Sequence, residues 1–179
     1  MKEIAIESLK LNPMDLFGKN WALLAAGNER NGYNAMTIAW GQIGAVWDRK
    51  TSHGKIIIPV VSVFVRPQRY TKQFIDKEEH FTISAFPEES KGKLGYMGSH
   101  SGKEENKISN AGLTPFLIDD TISFREAKLT IVCKKIYHNL IKESGFNSPD
   151  IAVENYPEKD FHVMYMGEIT KVFVNSDIV

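Results

Sequence analysis

The chain has 179 residues, of which 42% are hydrophobic and 25% charged, as is ordinary for a globular protein. Its 22 lysines and arginines balance 22 acidic residues, so no net charge draws it to nucleic acid or to anionic lipid. No run approaches the roughly 18 apolar residues of a membrane span, and the alternating N-terminus lacks the apolar core of a signal peptide. Its single cysteine, Cys133, excludes an internal disulfide framework and suits a reducing cytosol. We therefore expect a single cytoplasmic domain over residues 1–179, with no nucleic-acid or membrane partner.

Six segments rich in β-branched and aromatic residues predict strands. They are Trp21 to Ala26, Ala35 to Trp40, Ile56 to Val65, His80 to Ala85, Ala127 to Ile136 and His162 to Val174. Gly27 to Gly32 is a cluster of turn-forming residues and predicts a hairpin between the first two strands. Pro59 interrupts the third segment, which predicts a bulge or a sheet edge at that point. Because the strands come in bunches, a mainly antiparallel barrel or sandwich is favoured over a doubly wound sheet.

Three helices are predicted between these strands. The segment Arg69 to Asp76 carries aromatic residues four apart, as on one face of a short helix. Ser101 and Glu104 fit a capping box, so a second helix is expected to begin at Ser101 and to stop at Gly112. The dipeptide Ser148-Pro149 predicts the start of a third helix, with proline in the first helical position.

The common catalytic and cofactor motifs are absent from the sequence. Gly92, Gly95, Gly98 and Gly102 are spaced three and four residues apart, which does not fit a Rossmann turn. There is no Walker A lysine motif and no G-x-S-x-G elbow. The histidines form no ligand pair at helical spacing, and one cysteine cannot build a zinc site, so no metal is expected. If the chain does chemistry, we expect a bound organic cofactor to carry it.

Three polar segments favour such a cofactor. The first, Asn34 to Trp40, is a strand with amide and hydroxyl groups that can meet the polar edge of a ring. In the second, Arg66 to Thr71, a buried strand ends in two arginines, a proline and a Tyr-Thr pair. The third, Gly98 to Lys107, is a small-residue turn with two lysines leading into the expected helix. Arginine forks and helix-start amides both suit a dianionic phosphate. A strand end with two solvated arginines is the alternative interpretation of the second segment.

In chain order, the patterns N-x-M-T-x-x-W, V-R-P-x-R-Y-T, S-G-K-x-x-x-K and G-L resemble the flavin reductase-like, FMN-binding split-barrel family, most closely its flavoredoxin-like branch. The match covers residues 21–113. The resemblance implies a mainly β chain with a few helices, folded as a six-stranded antiparallel Greek-key split barrel. It also implies a homodimer with FMN in a groove at the subunit interface. One departure is Lys103, where many members of the family carry arginine or a different basic residue. Lysine keeps the charge but lacks the bidentate fork of arginine.

The resemblance also carries site roles to individual residues. Asn34, Met36 and Thr37 would contact the polar edge of the isoalloxazine, and Trp40 would wall its pocket. The residues expected around the phosphate and ribityl chain are Arg66, Arg69, Tyr70, Thr71, Ser99, Ser101, Lys103 and Lys107. Outside the matched region, His138 could stabilise negative charge near reduced flavin, as a donor or cation.

Each candidate has a structural alternative that the sequence leaves open. Asn34 could finish the preceding turn, and Trp40 could be a core aromatic. Lys103 and Lys107 are four residues apart and could form a solvated helix face. His138 could be a satisfied sheet histidine. Ser101 caps a helix in either case.

The function expected from the resemblance is FMN-dependent oxidoreduction of flavin reductase type. Electrons would pass from NADH or NADPH, docking transiently, through FMN to free flavin or to a protein acceptor. One alternative is a flavoredoxin-like electron carrier reduced by a partner protein. Another is a non-catalytic flavin-binding module.

Overall fold

A computed structural model describes residues 1–175 of the chain. Its strands are β1 (Lys2–Ile4), β2 (Ala22–Asn28), β3 (Gly32–Ile38), β4 (Gly41–Thr51), β5 (Gly54–Val65), β6 (His80–Ala85), β7 (Pro115–Ile118), β8 (Thr121–Phe124), β9 (Leu129–Leu140) and β10 (Val163–Val174). Its α-helices are α1 (Lys72–Lys77), α2 (Lys91–Ser99), α3 (Lys107–Asn110) and α4 (Pro149–Asn155). Single helical turns lie at Ile6–Ser8, Asp15–Lys19, Glu88–Ser90 and Glu143–Gly145.

The strands form a mainly antiparallel architecture around one large sheet. The order is β3-β2-β6-β9-β10-β5-β4, with β1 paired to β10, and β7 and β8 form a separate hairpin. All six predicted strands are present as β2, β3, β5, β6, β9 and β10. The expected class, a mainly β chain with antiparallel strands and a few helices, is confirmed. The sheet has eight strands rather than six because β1 and β4 join it. Most of β4 is exposed, so it lacks the apolar alternation that reveals a strand in a sequence.

Two hydrophobic clusters cover opposite faces of the sheet. Side chains of β2 alternate between them, as the period of a strand requires: Leu24 faces the first cluster and Leu23 the second. The first cluster is lined by β2, β3, β5, β6, β9 and β10 and includes the fully buried Tyr165. The second packs α2, α3 and β8 on the outside, for example through Met97 and Phe124. Strand β2 is therefore buried on both faces.

Several local predictions are confirmed. Gly27 adopts φ 99° at the turn between β2 and β3, a conformation that glycine tolerates. The register of β4 against β5 shifts between Ala45 and Asp48, beside Pro59, so the predicted bulge is present. Helix α4 begins with Pro149 at its start, directly after Ser148, as expected.

The capping box predicted at Ser101 is wrong. The helix begins later, at Lys107, because Asn106 is the residue that caps it: its side chain accepts a hydrogen bond from the Ser109 N–H. Ser101 Oγ instead accepts from the Lys103 N–H at 3.2 Å, which closes a local turn. Gly112, with φ 64°, follows the helix end as predicted.

Helix α2 was not expected, because three glycines within nine residues depress helix propensity. One of them has a packing reason. A Cβ at Gly98 would lie 3.3 Å from Thr37 Cβ, so glycine lets the helix approach β3 closely.

In the part of the chain that the structure describes, no helix is long and apolar enough to cross a bilayer.

Candidate functional site

A polar pocket of about 270 Å³ lies where β3, the end of β5 and the turn after α2 meet. Its walls are Asn34, Met36, Arg66, Gln68, Arg69, Tyr70, Thr71, Ser99, His100, Ser101 and Lys107. The three polar segments identified in the sequence therefore contribute to one pocket. Nine of the predicted site residues line it, and Gln68 and His100 join them.

The floor of the polar pocket is a buried hydrogen bond. Asn34 is 3% exposed, and its Nδ2 donates to Thr71 Oγ1 at 3.0 Å. Gly102 covers this pair so closely that an added Cβ would lie 2.4 Å from Asn34 Oδ1. Asn34 is therefore a buried strand residue that positions Thr71, rather than the last residue of a turn.

Two cationic side chains face the polar pocket without a carboxylate partner. Lys107 is 4% exposed, and its Nζ donates to Met97 O at 2.8 Å and to His100 O at 3.0 Å. Arg69 Nη1 donates to Gly98 O at 3.1 Å. Neither side chain forms an ion pair within residues 1–175. The alternative of a solvated lysine face is therefore wrong for Lys107.

Burial and the nearby positive charge of Arg69 disfavour the charged form of Lys107. Loss of hydration, and then the nearby positive charge of Arg69, lower the pKa of Lys107 to about 8. The carboxylate of Glu105 acts in the opposite sense, more weakly. A bound anion would relieve the repulsion between the two cations.

Arg66 differs from Arg69 because its charge is compensated. Its guanidinium pairs with the carboxylate of Asp160, and Nη2 donates to Asn155 O at 2.8 Å. The same guanidinium lies 5.2 Å from the ring centroid of Tyr156. The hydrogen bond from Arg66 is the main cause that lowers the pKa of Asp160. Arg66 thus joins the polar pocket to the segment around α4.

An aromatic cluster stands beside Arg66. The rings of Trp40 and His162 have centroids 4.8 Å apart, and the Tyr156 hydroxyl lies 2.9 Å from His162 Nδ1. Burial, and then the positive charge of Arg66, lower the pKa of His162 to about 4. The imidazole is therefore neutral at pH 7.

This aromatic cluster borders a large apolar cavity of about 680 Å³. Trp40 and Tyr156 line the cavity together with Phe17, Phe64 and Phe146. Trp40 is 42% exposed, so it is not the core aromatic that one interpretation proposed. Because Arg66 lines the polar pocket and contacts Tyr156, the apolar cavity and the polar pocket are neighbours.

Three predicted site residues lie outside both cavities. Thr37 Oγ1 donates to Leu94 O at 2.5 Å and so fastens α2 to β3. Lys103 is exposed in the turn before α3, on a neighbouring groove. His138 is exposed on β9, where its ring stacks beside Tyr165 with centroids 5.8 Å apart.

The residues of the α4 region were missed as site residues. Asn155, Tyr156, Asp160 and His162 all contact Arg66 or the aromatic cluster. Two aromatic residues and a histidine close together, Tyr156, Phe161 and His162, were the available signal. Nothing in their spacing indicates a contact with Arg66, which is 94 residues from Asp160.

Comparison with solved structures reveals the type of fold, although no family model and no curated protein matches this sequence. Flavoredoxin of Desulfovibrio vulgaris (Miyazaki F) superposes with a TM-score of 0.65 at 23% identity, covering 95% of this chain and 76% of that one. An FMN-binding domain of a flavin reductase-like enzyme from Shewanella baltica gives 0.64 at 16% identity, covering 99% and 78%. This chain has the split-barrel fold of these proteins. An FMN-binding protein from Thermus thermophilus, solved with 1-cyclohex-2-enone, gives 0.62 at 17% identity, covering 97% and 80%.

The polar pocket of this split barrel fits a phosphate-bearing cofactor. Phosphate oxygens only accept hydrogen bonds when ionised, and the groups facing the pocket are largely donors. They include Arg69 and Lys107, which have no ion pair within residues 1–175, and the hydroxyl groups of Tyr70, Thr71, Ser99 and Ser101. The described residues offer no cluster of three or more metal-ligating side chains.

Proposed function

We propose that residues 1–179 form a single split-barrel domain that works as an FMN-dependent oxidoreductase of flavin reductase type. Electrons would pass from NADH or NADPH to free flavin or to a protein acceptor. The observation that carries this proposal is that Arg69 and Lys107 both face the polar pocket and, among the described residues, have only carbonyl partners. FMN supplies the redox chemistry when bound.

The residues of the polar pocket bind and orient the cofactor in this proposal. Arg69 offers a planar fork of donors, which orients the phosphate, and Lys107 adds a point charge, which attracts it. The hydroxyl groups of Thr71 and Ser101 add neutral donors. Asn34 acts through Thr71, which it holds in place by the buried hydrogen bond.

The apolar cavity favours a reductase over a simple binding module. Its volume of about 680 Å³ is within the range of small-molecule sites, so it has room for a nicotinamide. Trp40 and Tyr156 wall the side nearest the polar pocket and would exclude water there. His162 stays neutral at pH 7 and adds no charge that would repel a cationic nicotinamide product.

A flavoredoxin-like electron carrier is the second candidate. Flavoredoxins from Desulfovibrio vulgaris and Methanosarcina acetivorans, the latter 17% identical with a TM-score of 0.63, are among the structures that resemble this chain. In that role a partner protein would reduce the bound FMN, and no nicotinamide would enter the apolar cavity.

We further propose a homodimer whose interface contributes to the flavin site. Large apolar side chains are exposed on β4, β5 and β9, among them Trp47, Ile57 and Tyr137. The rings of Trp47 and Tyr137 have centroids 6.0 Å apart, so part of this surface is continuous. Light scattering on the FMN-loaded protein tests the proposal. A monomer that binds FMN fully at micromolar concentration would contradict it.

The absorption spectrum of the purified protein, followed by anaerobic titration, tests the function itself. We expect a flavin band near ~450 nm, a property of the cofactor, and its bleaching by NADH or NADPH. A band that neither nicotinamide bleaches would support the electron carrier. If wild type binds no flavin even after FMN is added, all flavin roles are refuted.

A further inference from the structure

A pocket of about 390 Å³ lies at the opposite end of strand β10 from the polar pocket. At the first end, Val163 pairs with Val65, the residue before Arg66. At the other end, Val174 lines the 390 Å³ pocket, and residues 4–20 supply most of its walls. We call it the N-terminal pocket. Among the described residues it shares no wall residue with the polar pocket or the apolar cavity.

The inner walls of the N-terminal pocket are apolar. Leu16 and Ala85 are buried members of the first hydrophobic cluster. Leu9, Leu11 and Leu129 are half-buried and pack against the same cluster. The volume is near the lower end of small-molecule sites, about 300–1,000 Å³. The pocket therefore suits a small apolar group or chain rather than a second flavin.

Charged and amide side chains also line the N-terminal pocket. Within residues 1–175 the ammonium groups of Lys10 and Lys128 form no ion pair, and the side-chain amide of Asn20 has no hydrogen-bond partner. Asp15 is the acidic residue of the lining. Two lysines and one aspartate leave a single net positive charge, which complements a monoanion. A dianion would be repelled more strongly by the carboxylate of Asp15.

One wall of the N-terminal pocket is a helical turn of an uncommon type. The turn Asp15–Lys19 is closed by a hydrogen bond from the Asn20 N–H to Asp15 O at 2.8 Å, which is the spacing of a π-helix. Such turns are rare and are frequent at functional sites. Leu16 lines the N-terminal pocket, whereas Phe17 and Gly18 line the apolar cavity. The same turn therefore walls both spaces.

We propose that the N-terminal pocket binds an amphipathic carboxylate, an aliphatic chain that ends in one carboxylate group. The chain lies against Leu9, Leu16 and Leu129, where removal of its apolar surface from water favours binding. The carboxylate only accepts hydrogen bonds, and the ammonium groups of Lys10 and Lys128 donate to it. This binding goes beyond the proposed flavin chemistry and does not depend on it.

Calorimetry with octanoate, 1-octanol and acetate on the full chain tests the proposal. Octanoate should bind, 1-octanol should bind more weakly because it lacks the charge, and acetate should not bind because it lacks the chain. Lys128→Gln should weaken octanoate binding about two- to five-fold, as expected for a charge contact near the surface. The loss should shrink at high salt, and 1-octanol should be unaffected. Lys50→Gln, an exposed lysine on β4, is the matched control and should leave octanoate binding unchanged.

Backbone amide spectra of the labelled protein locate the bound octanoate. The shifts that it causes should centre on Leu9, Leu16 and Leu129 and should leave Arg69 and Phe146 unchanged. Shifts centred on Phe146 would place the chain in the apolar cavity and overturn the proposal.

Other results would also overturn the proposal. They are an absence of octanoate binding, binding of 1-octanol as tight as that of octanoate, and equal losses in Lys128→Gln and Lys50→Gln. Octanoate that binds only by dissociating a dimer, seen by light scattering, would assign the pocket to an interface between two copies and overturn it as well. Each of these results would leave the proposed flavin function intact, because no flavin is involved in the measurement.

Discussion

The guanidinium of Arg66 is neutralised by the carboxylate of Asp160, across a sequence separation of 94 residues. This ion pair has two consequences. It anchors the segment that carries α4 against the end of β5, because Arg66 also bonds Asn155 O. It also removes Arg66 from the free positive charge of the polar pocket, which leaves Arg69 and Lys107 to attract an anion.

Asp160→Asn should loosen the α4 segment without unfolding the barrel. Amide exchange of Asp150 to Asn155 in helix α4 should become faster, whereas exchange in β2 should stay unchanged, because this carboxylate bonds Arg66 and Gln68, just beyond the end of β5. Hydrogen–deuterium exchange is the measurement. Glu158→Gln, an exposed carboxylate of the same segment without an ion pair in the described chain, serves as the control. Equal acceleration in both variants would show that Asp160 is not the anchor.

Arg69→Ala should weaken FMN binding about 10- to 100-fold, the value of a charge-assisted hydrogen bond of roughly 1.5–3 kcal/mol. Riboflavin lacks the phosphate and should lose little. Stability should change little because the arginine is exposed. Arg69→Lys keeps the charge but not the planar fork of donors, so we expect its FMN affinity to lie between those of wild type and Arg69→Ala. Equal losses for FMN and riboflavin, measured by calorimetry, would remove Arg69 from the phosphate site.

FMN affinity should fall as the pH rises above about 8. Without an anion the pKa of Lys107 is about 8, below its ordinary value of 10.5, and a bound phosphate favours the charged form and so raises it. FMN affinity is therefore highest below the pKa that Lys107 has in the free protein. It decreases as the pH rises from that pKa to the higher pKa that Lys107 has in the complex with FMN. The folding stability of the free protein changes in the opposite direction. Because the pKa of Lys107 is lower in the folded chain than in the unfolded one, the free energy of unfolding increases as the pH rises from about 8 to 10.5.

Binding titrations between pH 7 and 10, with riboflavin as the phosphate-free reference, measure this pH dependence. Lys107→Met keeps an unbranched chain of similar length and removes the titrating group, so its FMN affinity should be lower and independent of the pH in this range. Circular dichroism establishes that the variant is folded. If wild type and Lys107→Met lose FMN affinity in parallel with rising pH, another group is responsible.

Gly102→Ala should destabilise the chain by about 1–3 kcal/mol, the usual cost of overpacking. Its new Cβ would lie 2.4 Å from Asn34 Oδ1, so the bond between Asn34 and Thr71 must shift. FMN affinity should fall with it. Gly95→Ala is the control, because nothing lies within 4 Å of its Cβ; it should gain about 0.5–1 kcal/mol from better helix propensity. Thermal melts of both variants give the comparison. A Gly102→Ala protein as stable as wild type would contradict the close packing.

Much of the strand pattern could be predicted from the sequence because its signals are local. The strands β5 and β9 could be predicted from their β-branched residues. The bulge opposite Pro59 could be predicted because proline has no backbone N–H to donate to the neighbouring strand. The strand β4 could not be predicted, since its side chains are mostly exposed and carry no apolar period. Helix α2 could not be predicted because it contains three glycines, of which only Gly98 has a packing role, against Thr37.

Part of the candidate site could likewise be predicted from the sequence, and part depends on the tertiary structure. The residue types of the three polar segments, and their order, are properties of the sequence and led to Asn34, Arg69 and Lys107. Only the tertiary structure decided which charges are compensated, because ion pairing depends on distance in space. Arg66 is compensated by a carboxylate 94 residues away, whereas Arg69 has no carboxylate partner within residues 1–175. Burial, which lowers the pKa of Lys107, is likewise a property of the packed chain and not of any local pattern.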